Sequence, residues 1–224
     1  MPPEPRLRQL HDLLLAAFGP QHWWPGQTPF EVLVGAVLTQ NTNWGNVERA
    51  IANLKARDLL GLPALRGLEP AELAQLIRPA GYYNLKAARL RNLLDLLYDN
   101  HGEAWEDVFA QPLEAARACL LAAKGVGPET ADSILLYAGG LPSFVIDAYT
   151  FRVLTRHGLG QGLDYHGLRD LFMASLPDQA PLYNEFHALL VRLGKDYCRK
   201  SQPRCEACPA REWAGGAVDR KATR

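Results

Sequence analysis

Apolar residues recur at helical spacing along almost the whole chain, and nowhere do they alternate residue by residue as a half-buried strand requires. The period predicts helices over 5–18, 29–38, 44–56, 70–77, 83–99, 112–123, 128–138, 148–157, 165–174 and 181–193. Glycine and proline punctuate them, with stops at Gly19-Pro20, Pro25-Gly26, Gly61-Leu62-Pro63, Gly139-Gly140 and Gly158. The expected fold class is therefore all-α. No repeat, low-complexity segment or linker stands out. Residues 215–224 are polar and expected to fray.

Composition changes this picture in three ways. The 224 residues suffice for one large domain or two small ones. No stretch approaches the roughly 20 apolar residues of a membrane span, and the start, Met-Pro-Pro-Glu-Pro, has no basic region followed by an apolar run. No membrane association and a cytoplasmic location are expected. Net charge is zero, so a nucleic-acid partner would have to be held by a local basic patch. Of the four cysteines, Cys119 stands alone on an apolar helix, whereas Cys198, Cys205 and Cys208 cluster near the C-terminus. In a cytosolic protein such clustering favours a metal site over disulfides.

The run Lys124-Gly125-Val126-Gly127-Pro128-Glu129-Thr130-Ala131 has the residues of a tight hairpin. Pro128 suits the first position of a helix, and a helix N-terminus with free amides is a seat for phosphate. A GxG tripeptide is equally a plain helix–helix turn, and Lys124 equally a solvated lysine. Asp147 precedes the next helix, where its simplest role is an N-cap.

This hairpin followed by an aspartate resembles the helix-hairpin-helix DNA glycosylases of the endonuclease III superfamily. The resemblance continues in the apolar segment from Phe30 to Gln40, in Arg78-Pro79-Ala80-Gly81-Tyr82-Tyr83-Asn84-Leu85-Lys86-Ala87, and in the cysteine cluster, so it covers nearly the whole chain from Trp23 to Trp213. It implies a six-helix domain over 21–137 ending in the hairpin, a second helical domain made of 1–20 and 138–224, and an active site in the cleft between them. It implies a hairpin of Lys124, Gly125, Val126 and Gly127 that grips backbone phosphate without reading sequence. Asp147 would then cap its helix and also stabilise the positive charge that develops on deoxyribose as the base leaves. Gln40 matches the side chain that fills the gap left by the flipped base, and Tyr82 the wedge entering the duplex. Lys86, Arg89 and Arg91 open the following helix, as phosphate contacts or as a solvated face, the latter preferred for Arg91.

One position departs from the pattern of the bifunctional members. Their lysine in Gly-Val-Gly-x-Lys-Thr-Ala is Glu129 here. A carboxylate forms no imine, so lyase chemistry by the family route is excluded. The resemblance thus implies a monofunctional glycosylase that uses water, with Glu129 either helping to place that water or serving as a first-turn acid.

Trp23-Trp24-Pro25, Trp44 and the segments around Gln40 and Tyr82 are closest to the 3-methyladenine DNA glycosylase III branch. There two aromatics sandwich the flipped base, which implies Trp23 and Trp44, with Trp24 as the alternative. Against this stands a plain core role for the tryptophans. A positively charged N3-alkylated purine stacks favourably on indole, by roughly 0.5–2 kcal/mol, and is already a good leaving group. The expected partner is double-stranded DNA with a damaged base, bound by a monomer. The rivals are an endonuclease III-type enzyme for oxidised pyrimidines and a noncatalytic DNA-binding module.

Cys198-x6-Cys205-x2-Cys208 matches the first three ligands of the superfamily's iron–sulfur loop, and the fourth position is Ala214. A [4Fe–4S] cluster normally takes four thiolates. The expectation is an atypical iron–sulfur cluster; a [3Fe–4S] cluster or an empty loop are the alternatives. Zinc would also lack a fourth ligand, and no histidine follows His187. The resemblance implies that Arg199, Lys200 and Arg204, between the first two cysteines, face DNA phosphate.

Overall fold

The computed structural model describes residues 4–213, so Ala214 and the polar tail lie outside the described residues. Eleven α-helices are present among them: α1 Pro5–Phe18, α2 Pro29–Leu38, α3 Trp44–Lys55, α4 Leu62–Arg66, α5 Pro70–Leu76, α6 Tyr83–His101, α7 Leu113–Ala122, α8 Pro128–Ser133, α9 Ala148–Arg156, α10 Tyr165–Ser175 and α11 Ala180–Asp196. Short 3-10 turns occupy Arg78–Ala80, Trp105–Ala110 and Cys205–Ala207, and no strand occurs among the described residues. The fold is all-α. No helix of the described residues is long and apolar enough to cross a membrane.

The chain divides into two compact units. One runs from Trp24 to Leu141; the other joins the described residues before Trp24 to those from Pro142 onward. The first unit is built around α2. Thr28 caps it, its hydroxyl oxygen accepting from the Glu31 amide at 3.1 Å, and Pro29 opens it. Every residue from Phe30 to Leu38 is buried, as expected of a helix that is apolar all round. α3, α6 and the Ile134–Ala138 segment pack against it. The Arg117–Asp132 pair is buried in this unit and is bidentate, at 2.8 and 3.1 Å.

The helix expected over 128–138 is instead two segments. α8 ends at Ser133, and Ile134–Ala138 widens into a π turn that closes on the Gly139 amide, which donates to Ile134 O at 3.1 Å. Gly139 permits this because a Cβ there would meet the Phe109 ring at 2.5 Å. A periodicity of 3.6 does not reveal one extra residue per turn. α4 and the turn at 105–110 are too short for the pattern to register.

The second unit packs α9 against α11 and α1 against α10 and α11. Its centre is aromatic: Phe144 stacks on Phe172 at 3.9 Å between centroids, and Tyr183 and Phe186 meet Phe144 edge-on.

Candidate active site

In the Trp24–Leu141 unit the hairpin is tied to two other segments. Gly125 has φ +100°, and a Cβ there would lie 2.3 Å from Arg89 Cγ, so only glycine allows α6 to come this close. Arg89 donates to Gln40 Oε1 at 2.5 Å. Gln40 Nε2 donates to Gly125 O at 3.2 Å and to Thr130 Oγ1 at 2.9 Å. The polar residue that ends the α2 segment is thereby fixed against the turn. Asn92 adds a bond to Lys124 O at 2.9 Å, and the Lys124 side chain is exposed. Val126 faces the core, and its N–H is bonded to Ala123 O at 3.0 Å. Val126 therefore braces the turn from inside and offers no amide to a phosphate. Gly127 is the N-cap of α8, and Glu129 is exposed in its first turn.

Tyr82 is 71% exposed and sits at φ +46°, left-handed backbone that a non-glycine residue adopts at a cost. This conformation places an aromatic ring on the surface ahead of α6. Lys86 corrects the sequence expectation. It is 1% exposed, and its ammonium donates to Leu38 O at 2.8 Å and Ala80 O at 2.7 Å. Two carbonyls at the ends of α2 and of the Arg78–Ala80 turn have lost helical partners, and the lysine satisfies them. It cannot reach a phosphate. Burial pushes its pKa down to about 8, the neighbouring Arg89 charge adding to this. Arg91 bonds Leu68 O at 2.6 Å, as a surface side chain bracing a loop.

Trp24, Trp44 and Tyr137 form an aromatic group in the same unit. Trp24 meets Trp44 edge to face at 5.1 Å and Tyr137 at 5.2 Å. Gly35 leaves room for the Trp24 indole, whose nearest atom would stand 3.3 Å from a Cβ. Trp44 Nε1 donates to Glu48 at 2.8 Å, and Trp44 lines an open cavity of about 260 Å3 with Pro25 and Glu48. Trp24 and Trp44 already touch, so a base does not fit between this pair as they stand. Trp23 belongs to the other unit and is half-buried.

In the second unit Asp147 caps α9, its Oδ1 accepting from the Thr150 amide at 2.7 Å. Its other oxygen lies 3.7 Å from His187 Nε2 on α11, and its side chain is 12% exposed. Burial alone would raise the carboxyl pKa. The His187 ring and the Thr150 amide outweigh burial and hold it below the ordinary carboxylate value. The result is a desolvated carboxylate that keeps its charge, with one oxygen committed to the cap.

The other end of α9 holds the cysteine loop. Arg152 Nε donates to Cys198 O at 2.6 Å, and its Nη2 to Gly194 O at 3.2 Å. Arg156, 1% exposed, donates to Cys198 Sγ at 3.4 Å, Arg199 O at 2.7 Å and Lys200 O at 3.1 Å. With their carbonyls held, the side chains of Arg199 and Lys200 are exposed, as is that of Arg204. Cys198, Cys205 and Cys208 line one small cavity with Arg156, His157 and Tyr197; its interior is about 10 Å3, room for about one water. Burial pushes the Cys208 thiol up to about 11, and the nearby Cys198 and Cys205 sulfurs contribute. No group of three or more His, Cys, Asp or Glu among the described residues is spaced to hold a single metal ion. Three thiols, one short of the four that a [4Fe–4S] cluster takes, around a space for about one water do not fit a four-iron core as they stand.

One unit thus holds a hairpin bound to a glutamine, and the other a desolvated aspartate at a helix start. Residues 34–177 match the HhH-GPD superfamily base excision DNA repair protein family. The chain belongs to this family. A protein of Methanocaldococcus jannaschii, named as a candidate DNA repair glycosylase, is 45% identical over 92% of this chain and 94% of its own length. Endonuclease III of Escherichia coli K12 is 28% identical over 81% of each chain. Among solved structures, Helicobacter pylori 3-methyladenine DNA glycosylase (MagIII) bound to 1,N6-ethenoadenine has a TM-score of 0.71 at 30% identity, over 86% of this chain and 98% of that one. An endonuclease III in non-covalent complex with DNA has a TM-score of 0.78 at 22% identity, over 96% and 95%, and so shares the fold.

For this HhH-GPD protein, Arg89, named in the sequence as a phosphate contact or a solvated cation, bonds Gln40. Sequence reasoning missed other residues that hold the named ones in place: His187 flanks Asp147, and Arg152 with Arg156 clamps the cysteine loop. Each lies far along the chain from its partner, and none belongs to a local motif. The one available signal was chemical: arginines and a histidine placed on otherwise apolar helix faces need partners when buried.

Proposed function

We propose that the chain is a monofunctional DNA glycosylase that releases an alkylated purine such as 3-methyladenine from double-stranded DNA. The observation that carries this reading is the Asp147 carboxylate, desolvated, still ionised and unable to form an imine, in a chain with glutamate at position 129. The H. pylori enzyme supports the choice of base, being 30% identical across almost its whole length, as do Trp23, Trp24 and Trp44. Gln40 and Tyr82 are assigned to the gap and wedge left by the flipped nucleotide. Lys124, Gly125 and Gly127 are assigned to the DNA backbone beside it, and Arg199, Lys200 and Arg204 to phosphates further along.

The chemistry follows from the acid. The C1′–N bond breaks and its electron pair returns to the base nitrogen, neutralising the alkylated ring. The Asp147 carboxylate stabilises the electron-poor sugar. Water forms the new C1′–O bond, and its proton passes to Asp147 or to solvent. No imine forms, so the strand stays intact and the products are free base and an abasic site. No step of base release passes through the loop of Cys198, Cys205 and Cys208.

The test is single-turnover release from duplexes carrying 3-methyladenine or thymine glycol, with borohydride trapping in parallel. Free 3-methyladenine without strand nicking is expected. Asp147→Asn keeps the cap, since asparagine caps as well as aspartate, and should lower the rate by about 100-fold or more with little change in melting temperature. A trapped covalent adduct would refute the monofunctional reading. Preferred release of thymine glycol would move the enzyme to the oxidised-pyrimidine class, and tight binding with no release would make it a binding module.

A further inference from the structure

We propose that Glu48 makes the cavity beside Trp44 selective for a positively charged base over a neutral base of the same shape. The inference deepens the function proposed above and rests on its assignment of Trp44 to the flipped base. Trp44 opens α3 and Glu48 follows one turn later, so the two side chains share one face of the helix. The Trp44 Nε1–H donates to Glu48 Oε1 at 2.8 Å. Both residues line an open cavity of about 260 Å3, more than a bicyclic base occupies, with Pro25 and Ile51 as apolar wall. A base that enters there meets an indole with a carboxylate fixed at its N–H edge.

The charges around the cavity do not cancel. Glu31 and Lys55 also line it and neutralise each other at 2.8 Å, and Lys55 donates further to Gln27 Oε1 at 3.0 Å. Glu48 has no ion-pair partner among the described residues. Two carboxylates against one ammonium leave the lining negative. The Glu48 carboxylate acts twice on a cationic ring. It attracts the ring directly, and by accepting from the indole N–H it pushes electron density onto Trp44, whose face then attracts a cation more strongly. A neutral ring of the same outline gains from neither effect. The alkylated ring loses its charge as the C1′–N bond breaks, so the attraction is strongest before that step. It tightens capture of the cationic base and does not speed release.

The experiment measures single-turnover release from a 3-methyladenine duplex against enzyme concentration, for the parent chain and Glu48→Gln. Glutamine keeps the outline and an acceptor for Trp44 Nε1, and the position is exposed, so the melting temperature should hold. Fluorescence anisotropy gives the affinity of both proteins for a duplex carrying 3-deaza-3-methyladenine, an uncharged isostere. In Glu48→Gln the half-saturating concentration on 3-methyladenine should rise about 3- to 10-fold, as for a partly solvated pair of charges. The saturated rate should equal or exceed that of the parent, and affinity for the uncharged isostere should not change. Equal weakening on both duplexes would mean that Glu48 only steadies Trp44, and an unchanged half-saturating concentration that its charge does not reach the base. Either result overturns the inference and leaves the proposed function standing. A parent chain that releases no 3-methyladenine overturns the proposed base, and the inference with it.

Discussion

The two glycines of the hairpin are one residue apart, yet they should respond oppositely to the same added methyl group. Gly125 stands at φ +100°, and its Cβ would lie 2.3, 3.0 and 3.1 Å from the Cγ, Cδ and Cβ atoms of Arg89. Those atoms are the base of the side chain and cannot swing away as its tip could. Backbone strain at such a φ costs about 1–3 kcal/mol, and the overpacking about 1–3 more. Displacing Arg89 also loosens its bond to Gln40. Gly125→Ala should therefore destabilise by about 2–6 kcal/mol. For a chain of this size that is a fall in melting temperature of about 4–24 °C. Gly127 has no positive φ, and a Cβ there would meet nothing within 4 Å. Gly127→Ala should leave stability within about 0.5 kcal/mol. Its methyl group would nonetheless crowd the backbone surface assigned above to a DNA phosphate, so on that proposal duplex affinity should fall while the fold holds. Calorimetry and fluorescence anisotropy with a DNA duplex separate the two effects. Equal melting temperatures for Gly125→Ala and the parent would refute the packing argument. Unchanged affinity in Gly127→Ala would remove the hairpin from the DNA interface.

Two further outcomes test the acid and the buried lysine. His187 helps to keep the Asp147 carboxyl below the ordinary carboxylate pKa. The stability that Asp147 contributes is thus present above the unfolded-state value and lost as pH falls through the lower folded value. In His187→Gln the upward push of burial is less opposed, and the acid limb of the single-turnover rate should move to higher pH; an unmoved limb separates His187 from the acid. Lys86→Met leaves Leu38 O and Ala80 O without a donor, at about 1–3 kcal/mol each, partly offset by relief from burying a charge. A net loss of about 1–4 kcal/mol is expected in denaturant unfolding. The slope of log affinity for DNA against log salt should not change, whereas loss of a phosphate contact would reduce it by about 0.9.

The helical class and most helix positions were legible because each helix of three turns or more repeats its apolar face several times. The cap at Asp147 marked the start of α9. Lys86 shows where such reading stops. In the sequence it is a cation at the start of a helix, next to other cations, and only the fold shows that it faces two carbonyls from α2 and the Arg78–Ala80 turn. Trp24 and Trp44 were nameable, but their edge-to-face contact was not, because pattern carries no distance. His157 and the cysteines, which line one cavity, are separated in the chain by the whole of α10 and α11, so no spacing pattern could join them.

α9 is a rod of about 13 Å, taking 1.5 Å per residue, with Asp147 at its first tip and the arginine clamp on the cysteine loop at its last turn. Bench oxidation of those sulfurs would therefore pull on the same stiff strut that aims the carboxylate. Damage to a remote coil of chain would be expressed as a dulled blade rather than a broken handle.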